Sequence, residues 1–163
     1  DMSRLQAGVA TAALIPTALE EVVAAALSSL AAPSERVRID VSEQLPLVLT
    51  DPALLERSIA NLVSNAIGWA PPDQPVRIEA AEIAGHVELR IIDRGPGIPP
   101  ADRDRVFQPF QRLGDRSREI GAGLGLAIAR GFVELTGGTL ELDDTPGGGC
   151  TFTIILPVQE DLT

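Results

Sequence analysis

The sequence predicts one mixed α/β domain in which helices stack on one face of a largely antiparallel sheet. Three observations carry this. Two alternating segments, Pro75–Ala81 and His86–Asp93, flank a short turn containing Gly85, the pattern of a β-hairpin. Two longer stretches, from Pro52 up to Pro71 and Gly123–Leu135, repeat apolar residues at helical spacing. The 163 residues contain no internal repeat and no low-complexity linker, and they suffice to bury the core of a single domain.

Taken in order, Asp1–Gly8 reads as the last turns of a helix closed by glycine. Thr17 and Glu20 have capping-box spacing, and the alanine- and leucine-rich Glu21–Leu30 after them is a predicted helix. Arg36–Val41 alternates as a strand does, and Leu47–Thr50 is a second short apolar strand. Asp51 before Pro52 is an N-cap with proline at the first helical position. That helix stops before Pro71-Pro72. In the second hairpin strand Val87, Leu89 and Ile91 share one face, while His86, Glu88 and Arg90 share the other, so His86 reads as a solvent-facing strand residue. Asp102–Phe107 is a predicted short helix, and Gln111–Gly121 a polar, charged loop. The helix Gly123–Leu135 ends at Gly137-Gly138, and Thr139–Leu142 and Cys150–Leu156 are the final strands, joined through Pro146-Gly147-Gly148-Gly149.

Composition excludes several function classes. A lone cysteine, Cys150, and a lone histidine, His86, leave no internal disulfide and no cysteine- or histidine-based metal centre. All thirteen basic residues are arginines, which removes the phosphate-loop motif and its obligatory lysine. A formal net charge of −10 argues against nucleic-acid binding through a broad basic surface. No apolar run approaches the roughly 18 residues of a membrane-crossing helix, and no signal-peptide pattern is visible at the N-terminus. Because the chain starts at Asp1 rather than a methionine, it is expected to be a fragment. A phosphorylated ligand would have to be held by backbone amides, a few arginines and a metal ion.

Four polar features stand at element ends. Asn61 and Asn65 lie four residues apart, so their amides share a helix face beside the apolar stripe of Ile59, Leu62, Val63, Ala66 and Ile67; they read either as surface asparagines or as the edge of a polar site. Asp93, closing an apolar strand before Gly95 and Gly97, reads either as a turn aspartate bound to its own backbone or as an acceptor for the exocyclic amine of a base. The Gln111–Gly121 loop leads into Gly121-Ala122-Gly123-Leu124-Gly125-Leu126, which opens a helix. Its glycines allow either close loop packing or a backbone cradle for phosphate. It is not a dinucleotide fingerprint, because Leu126 occupies the third glycine position and no strand precedes it.

In this order, these stretches resemble the ATP-binding domain shared by sensor histidine kinases, DNA gyrase and the heat-shock 90 chaperones, over about residues 50–157. Asn61-Leu62-Val63-Ser64-Asn65-Ala66 resembles the N box of that family, and Asp93-Arg94-Gly95-Pro96-Gly97 its G1 box. Phe107-Gln108-Pro109-Phe110-Gln111-Arg112 resembles the F box, Gly121–Leu126 the G2 box, and Gly147–Phe152 before Leu156-Pro157 the last glycine box. The F box, and asparagine rather than glutamate at Asn61, make the chain similar to a histidine kinase rather than to a gyrase or chaperone. The resemblance implies a two-layer Bergerat-type fold, ATP as substrate and Mg²⁺ as cofactor. It implies that Asn65 ligates Mg²⁺, Asn61 supports the phosphate side and Asp93 binds the adenine amino group, with Gly95, Gly97 and Ile98 along the base. Arg112 would act catalytically on the terminal phosphates, and Gly121, Gly123, Leu124, Gly125 and Leu126 would wrap the triphosphate. Thr151 would add a polar contact near the base, and Trp69 would either stack on the adenine or cap the core.

Two departures from the family pattern stand out. Gly68 replaces a basic residue usual three positions after Asn65, with Arg116 or Arg118 as possible substitutes. The phosphorylated histidine of such kinases sits on a separate helical hairpin, and this chain has no such motif. Residues 1–12 are expected to be the end of that hairpin and a linker, as in kinases with a DxxRLQxG stretch, and residues 13–163 the catalytic domain. The most similar subfamily is the potassium-responsive KdpD kinases. The implied partners are the chain's own hairpin and, through it, a response regulator; the fragment is expected to be monomeric, the full kinase a homodimer, and the domain cytoplasmic in a membrane-associated bacterial protein. A nucleotide-binding regulatory module and a serine kinase of the anti-sigma-factor type are the competing readings.

Overall fold

The computed structural model describes residues 12–30, 33–108 and 125–159. Strand β1 (Ile15–Thr17) leads into helix α1 (Leu19–Ser28), followed by a 3₁₀ turn and β2 (Val37–Asp40). Then come β3 (Val48–Thr50), α2 (Pro52–Trp69), the hairpin β4 (Val76–Ile83) and β5 (His86–Ile92), a second 3₁₀ turn and the short α3 (Arg103–Val106). Helix α4 (Gly125–Leu135) and strands β6 (Thr139–Asp144) and β7 (Cys150–Pro157) complete the chain. The expected helix end at Asp1–Gly8 and the loop Gln111–Gly121 lie outside the described residues.

A five-stranded sheet in the order β2-β4-β5-β7-β6 forms the frame, antiparallel except for the parallel pair β2 and β4. The parallel pair follows from the connection, because α2 lies between the two strands in the chain and carries it across the sheet. At the hairpin, Ala84 (φ 52°) and Gly85 (φ 84°) both take positive φ, the two-residue I′ pattern that matches strand twist.

Period-two alternation decides the two faces of this sheet. Val87, Leu89 and Ile91 of β5 and Phe152, Ile154 and Leu156 of β7 are fully buried, and they form one core with Leu55, Ile59, Leu62 and Val63 of α2, Val22 and Val23 of α1, and Ala129 and Val133 of α4. The opposite face carries charge pairs such as Arg77 with Glu79 (2.9 Å) and Arg90 with Glu88 (3.0 Å), so water rather than a helix layer covers it. Among the described residues no helix is long and apolar enough to cross a membrane.

Local start signals were decisive in one helix and overridden in another. Asp51 caps α2 as the sequence implies, its Oδ1 accepting from the N–H groups of Ala53 and Leu54 at 3.1 Å each, while Oδ2 accepts from Ala13 N–H at 2.9 Å. The Thr17–Glu20 capping box does not form. Thr17 belongs to β1 and pairs with Val48 of β3, and its hydroxyl donates to Ile15 O, so α1 starts at Leu19 with uncapped Ala18 before it. A strand that short has no readable period, and it exists here because β3 offers it a ladder.

Candidate functional site

The site is assembled where elements end. Helix α2 contributes Asn61 and Asn65; Asn65 turns inward at 3% exposure, while Asn61, one turn earlier, is half-buried. Asn65 Oδ1 is buried without a hydrogen-bond partner. An orphaned buried acceptor of this kind costs about 1–3 kcal/mol, a cost that a cation or a donor group placed against it would relieve.

Strand β5 delivers Asp93, which is 1% exposed. Its Oδ1 accepts from Gly95 N–H at 2.8 Å and from Cys150 N–H at 3.4 Å, and its own N–H donates to Cys150 O at 2.9 Å. Oδ2 has no partner. The two sequence readings of this residue are therefore compatible: one oxygen closes the turn, and the other is left for an incoming donor. Burial pushes the Asp93 carboxyl above the ordinary aspartate value, opposed by the Gly95 and Cys150 N–H bonds that favour the ionised form.

The turn after Asp93 is pressed against the last turn of α2, one helical turn beyond Asn65. A Cβ on Gly95 would lie 2.6 Å from Trp69 O, a backbone atom that cannot step aside. Trp69 is itself 9% exposed and part of the core, together with Ile98 and Leu126. Gly97 adopts φ 81° and faces the β6–β7 turn, where its Cβ would sit 3.6 Å from Gly149 O. Gly125 is the first residue of α4. Arg112, Gly121, Gly123 and Leu124 lie outside the described residues, as do Arg116 and Arg118. Gly68 is solvent-exposed beyond Asn65, and His86 is exposed at the hairpin end.

Thr151 is not where the sequence reading put it. Along β7, Cys150, Phe152, Ile154 and Leu156 face the core, so Thr151 faces the other side of the sheet and hydrogen-bonds Thr145 at 3.0 Å. Cys150, which the sequence reading passed over, is the residue beside Asp93. Burial and the neighbouring carboxylate push its thiol up to about 11, so it is a neutral, packed side chain and not a nucleophile. The alternation of apolar residues in β7 contained this information, since Phe152 inward forces Cys150 inward and Thr151 outward.

Among the described residues no group of three or more His, Cys, Asp or Glu could hold a metal. The amide oxygen of Asn65 is a hard ligand of the kind that Mg²⁺ accepts together with phosphate and water oxygens.

A family model described as histidine kinase-, DNA gyrase B-, and HSP90-like ATPase matches residues 50–160. The chain is 43% identical, over 99% of its length, to the sensor protein KdpD of Mycobacterium tuberculosis, and it spans 19% of that protein. Among solved structures, the mycobacterial sensor histidine kinase MprB superposes with a TM-score of 0.75 at 33% identity, covering 91% of this chain and all of that one. Full-length ShkA in complex with AMPPNP superposes with a TM-score of 0.77 at 29% identity, covering 98% of this chain and 34% of ShkA.

Proposed function

The chain belongs to the family of histidine kinase-, DNA gyrase B- and HSP90-like ATPases, and from that premise we propose that it is the ATP-binding catalytic domain of a two-component sensor kinase of the KdpD type. Its role is to present the γ-phosphate of ATP to a histidine on a separate helical hairpin. The observation that carries this reading is the pair of buried, unpartnered acceptors, Asp93 Oδ2 at the end of β5 and Asn65 Oδ1 on α2. Asp93 accepts from the adenine amine, and a carbonyl at the same position would face a carboxylate, which selects adenine over guanine. Gly95, Gly97 and Ile98 shape the base site, Asn61 supports the phosphates, and Asn65 holds Mg²⁺ by its amide oxygen. The chemistry Mg²⁺ supplies when bound is charge neutralisation along the triphosphate. Arg112 and the backbone of residues 121–126 complete the phosphate side, because phosphoryl transfer asks mainly for positioning and charge stabilisation.

The chain covers about a fifth of KdpD, and the rest of the reading extends from that relative. Residues 1–12 end the dimerisation hairpin, residues 13–163 are the catalytic domain, and the whole protein is a dimeric, membrane-associated, potassium-responsive kinase of bacteria with this domain on the cytoplasmic side. It passes phosphate through its hairpin to a response regulator.

The test mixes this chain with a separately prepared hairpin from its own kinase and γ-labelled ATP. Acid-labile label on the hairpin is expected; ATP binding without transfer would make the chain a regulatory nucleotide module, and acid-stable phosphoserine on a partner would make it a serine kinase. Asn65→Ala is expected to leave nucleotide binding measurable in EDTA and to abolish the gain in affinity on adding Mg²⁺, as read by titration calorimetry. A full Mg²⁺ response in that variant would remove Asn65 from the metal site.

A further inference from the structure

Behind Asp93, on the far side of the sheet from α2, the β6–β7 turn closes on itself. Thr145 N–H donates to Gly149 O at 2.9 Å, and Gly148 N–H donates to Thr145 O at 2.8 Å. Thr145 is only 4% exposed, yet it makes no hydrogen bond to the acceptor Oδ2. Its hydroxyl instead donates to Asp93 O at 3.1 Å and lies 3.0 Å from Thr151 Oγ1. A threonine hydroxyl has one proton to give. Since that of Thr145 goes to the Asp93 carbonyl, the proton between the two hydroxyls comes from Thr151. A chain of donors therefore runs from Thr151, on the open face of the sheet, through buried Thr145 to the backbone of Asp93.

This chain occupies the point where regular pairing ends. The β5–β7 ladder stops at Ile92 opposite Thr151, and Asp93 is the next residue. Beyond it the chain turns through Gly95, so the direction of the carboxylate depends on how the Asp93 peptide is held. Its N–H is held by Cys150 O and its carbonyl by the Thr145 hydroxyl. Successive hydroxyl donors polarise one another, so the outer Thr151 strengthens the inner bond.

We propose that Thr145 is a positioning residue for adenine recognition, fixing the Asp93 peptide through its hydroxyl, with Thr151 as the outer anchor. Neither side chain touches the nucleotide. The inference rests on the reading of Asp93 as the adenine acceptor. It also explains why a threonine is fully buried at a turn otherwise made of proline and glycines.

Thr145→Val keeps the branched shape and removes the donor. Affinity for a non-hydrolysable ATP analogue is expected to fall about fivefold, as the loss of one neutral hydrogen bond allows. The preference for ATP over GTP analogues is expected to shrink with it, because a loosened carboxylate discriminates less between an amine and a carbonyl. Thr145→Ser keeps the hydroxyl and is expected to stay within about twofold of the parent in both quantities. Thr151→Val, at a half-exposed strand position that suits valine, is expected to weaken discrimination less than Thr145→Val does. A purely structural role would lower the melting temperature and leave the ATP-to-GTP ratio of the folded protein unchanged; that result overturns the proposal. Should Thr145→Val not fold, an unaltered ratio in Thr151→Val overturns it as well. Asp93→Asn separates the two levels: retained adenine binding in that variant defeats the nucleotide reading itself, whereas loss there with no change in the threonine variants defeats only the positioning role.

Discussion

Replacing Asp93 by asparagine is expected to abolish adenine-nucleotide binding while leaving the nucleotide-free protein no less stable than the parent. The side chains are nearly the same size, and the asparagine Oδ1 can keep the 2.8 Å bond from Gly95 N–H. The asparagine amide nitrogen then takes the place of Oδ2, the buried oxygen without a partner, and presents a donor to a donor. A hydrogen bond to a charged acceptor is worth about 1.5–3 kcal/mol, and the facing donors add repulsion, so affinity should fall by a hundredfold or more. Stability runs the other way. Burial raises the Asp93 pKa above 3.8, so the folded state holds this proton more tightly than the unfolded chain does. The stability this contributes is fully present below the unfolded pKa and is lost as pH rises through the folded one. At neutral pH the parent thus carries a buried carboxylate at a cost that the neutral amide avoids. Melting curves should show the variant's advantage at pH 7 narrowing on acidification. Calorimetry on the parent should show adenine affinity weakening over the same range, as Oδ2 gains a proton and ceases to accept. A variant that binds adenine nucleotides like the parent would refute the assignment.

Gly149→Ala is expected to be the most damaging single methyl addition in the described structure. Gly149 has φ 105°, a conformation L side chains rarely take, and its new Cβ would overlap the Asp93 carbonyl oxygen and lie 2.8 Å from the carbonyl carbon and 2.9 Å from Arg94 Cα. All three atoms are backbone, so relief requires moving either the β6–β7 turn or the Asp93 turn. A destabilisation of about 3 kcal/mol or more follows from strain and overlap together. Gly148→Ala is the control. Its φ of 118° is equally unfavourable, but nothing lies within 4 Å of the added carbon, so only the strain of about 1–3 kcal/mol remains. Urea titrations of the pair measure the difference. Equal losses would mean that contact between the two turns contributes nothing to their placement.

Both effects were only partly legible in the sequence. The alternation of Val87, Leu89 and Ile91 placed the inner face of β5 correctly, and with it Asp93 on the inner side at the strand end. Asp51-Pro52 marked the start of α2 to the residue. The same local rule failed at Thr17, where a backbone ladder to β3 outcompeted a side-chain cap. At Thr151 motif position and strand period disagree, and the period decides, turning this side chain outward and bringing Cys150 beside Asp93.

The sequence by itself determined the fold class and the family, because periodicity, caps and motif order are written in neighbouring residues. Only the tertiary structure decided which oxygen of Asp93 is free, which glycine stands against which backbone, and which hydroxyl steadies the Asp93 peptide. These depend on residues 52 to 57 positions apart meeting across strands, as Thr145 and Cys150 meet Asp93. No local pattern encodes the direction of a side chain at such a meeting. It is chosen by the packing of the whole sheet, which leaves Asp93 Oδ2 buried and unpaired at the site's edge.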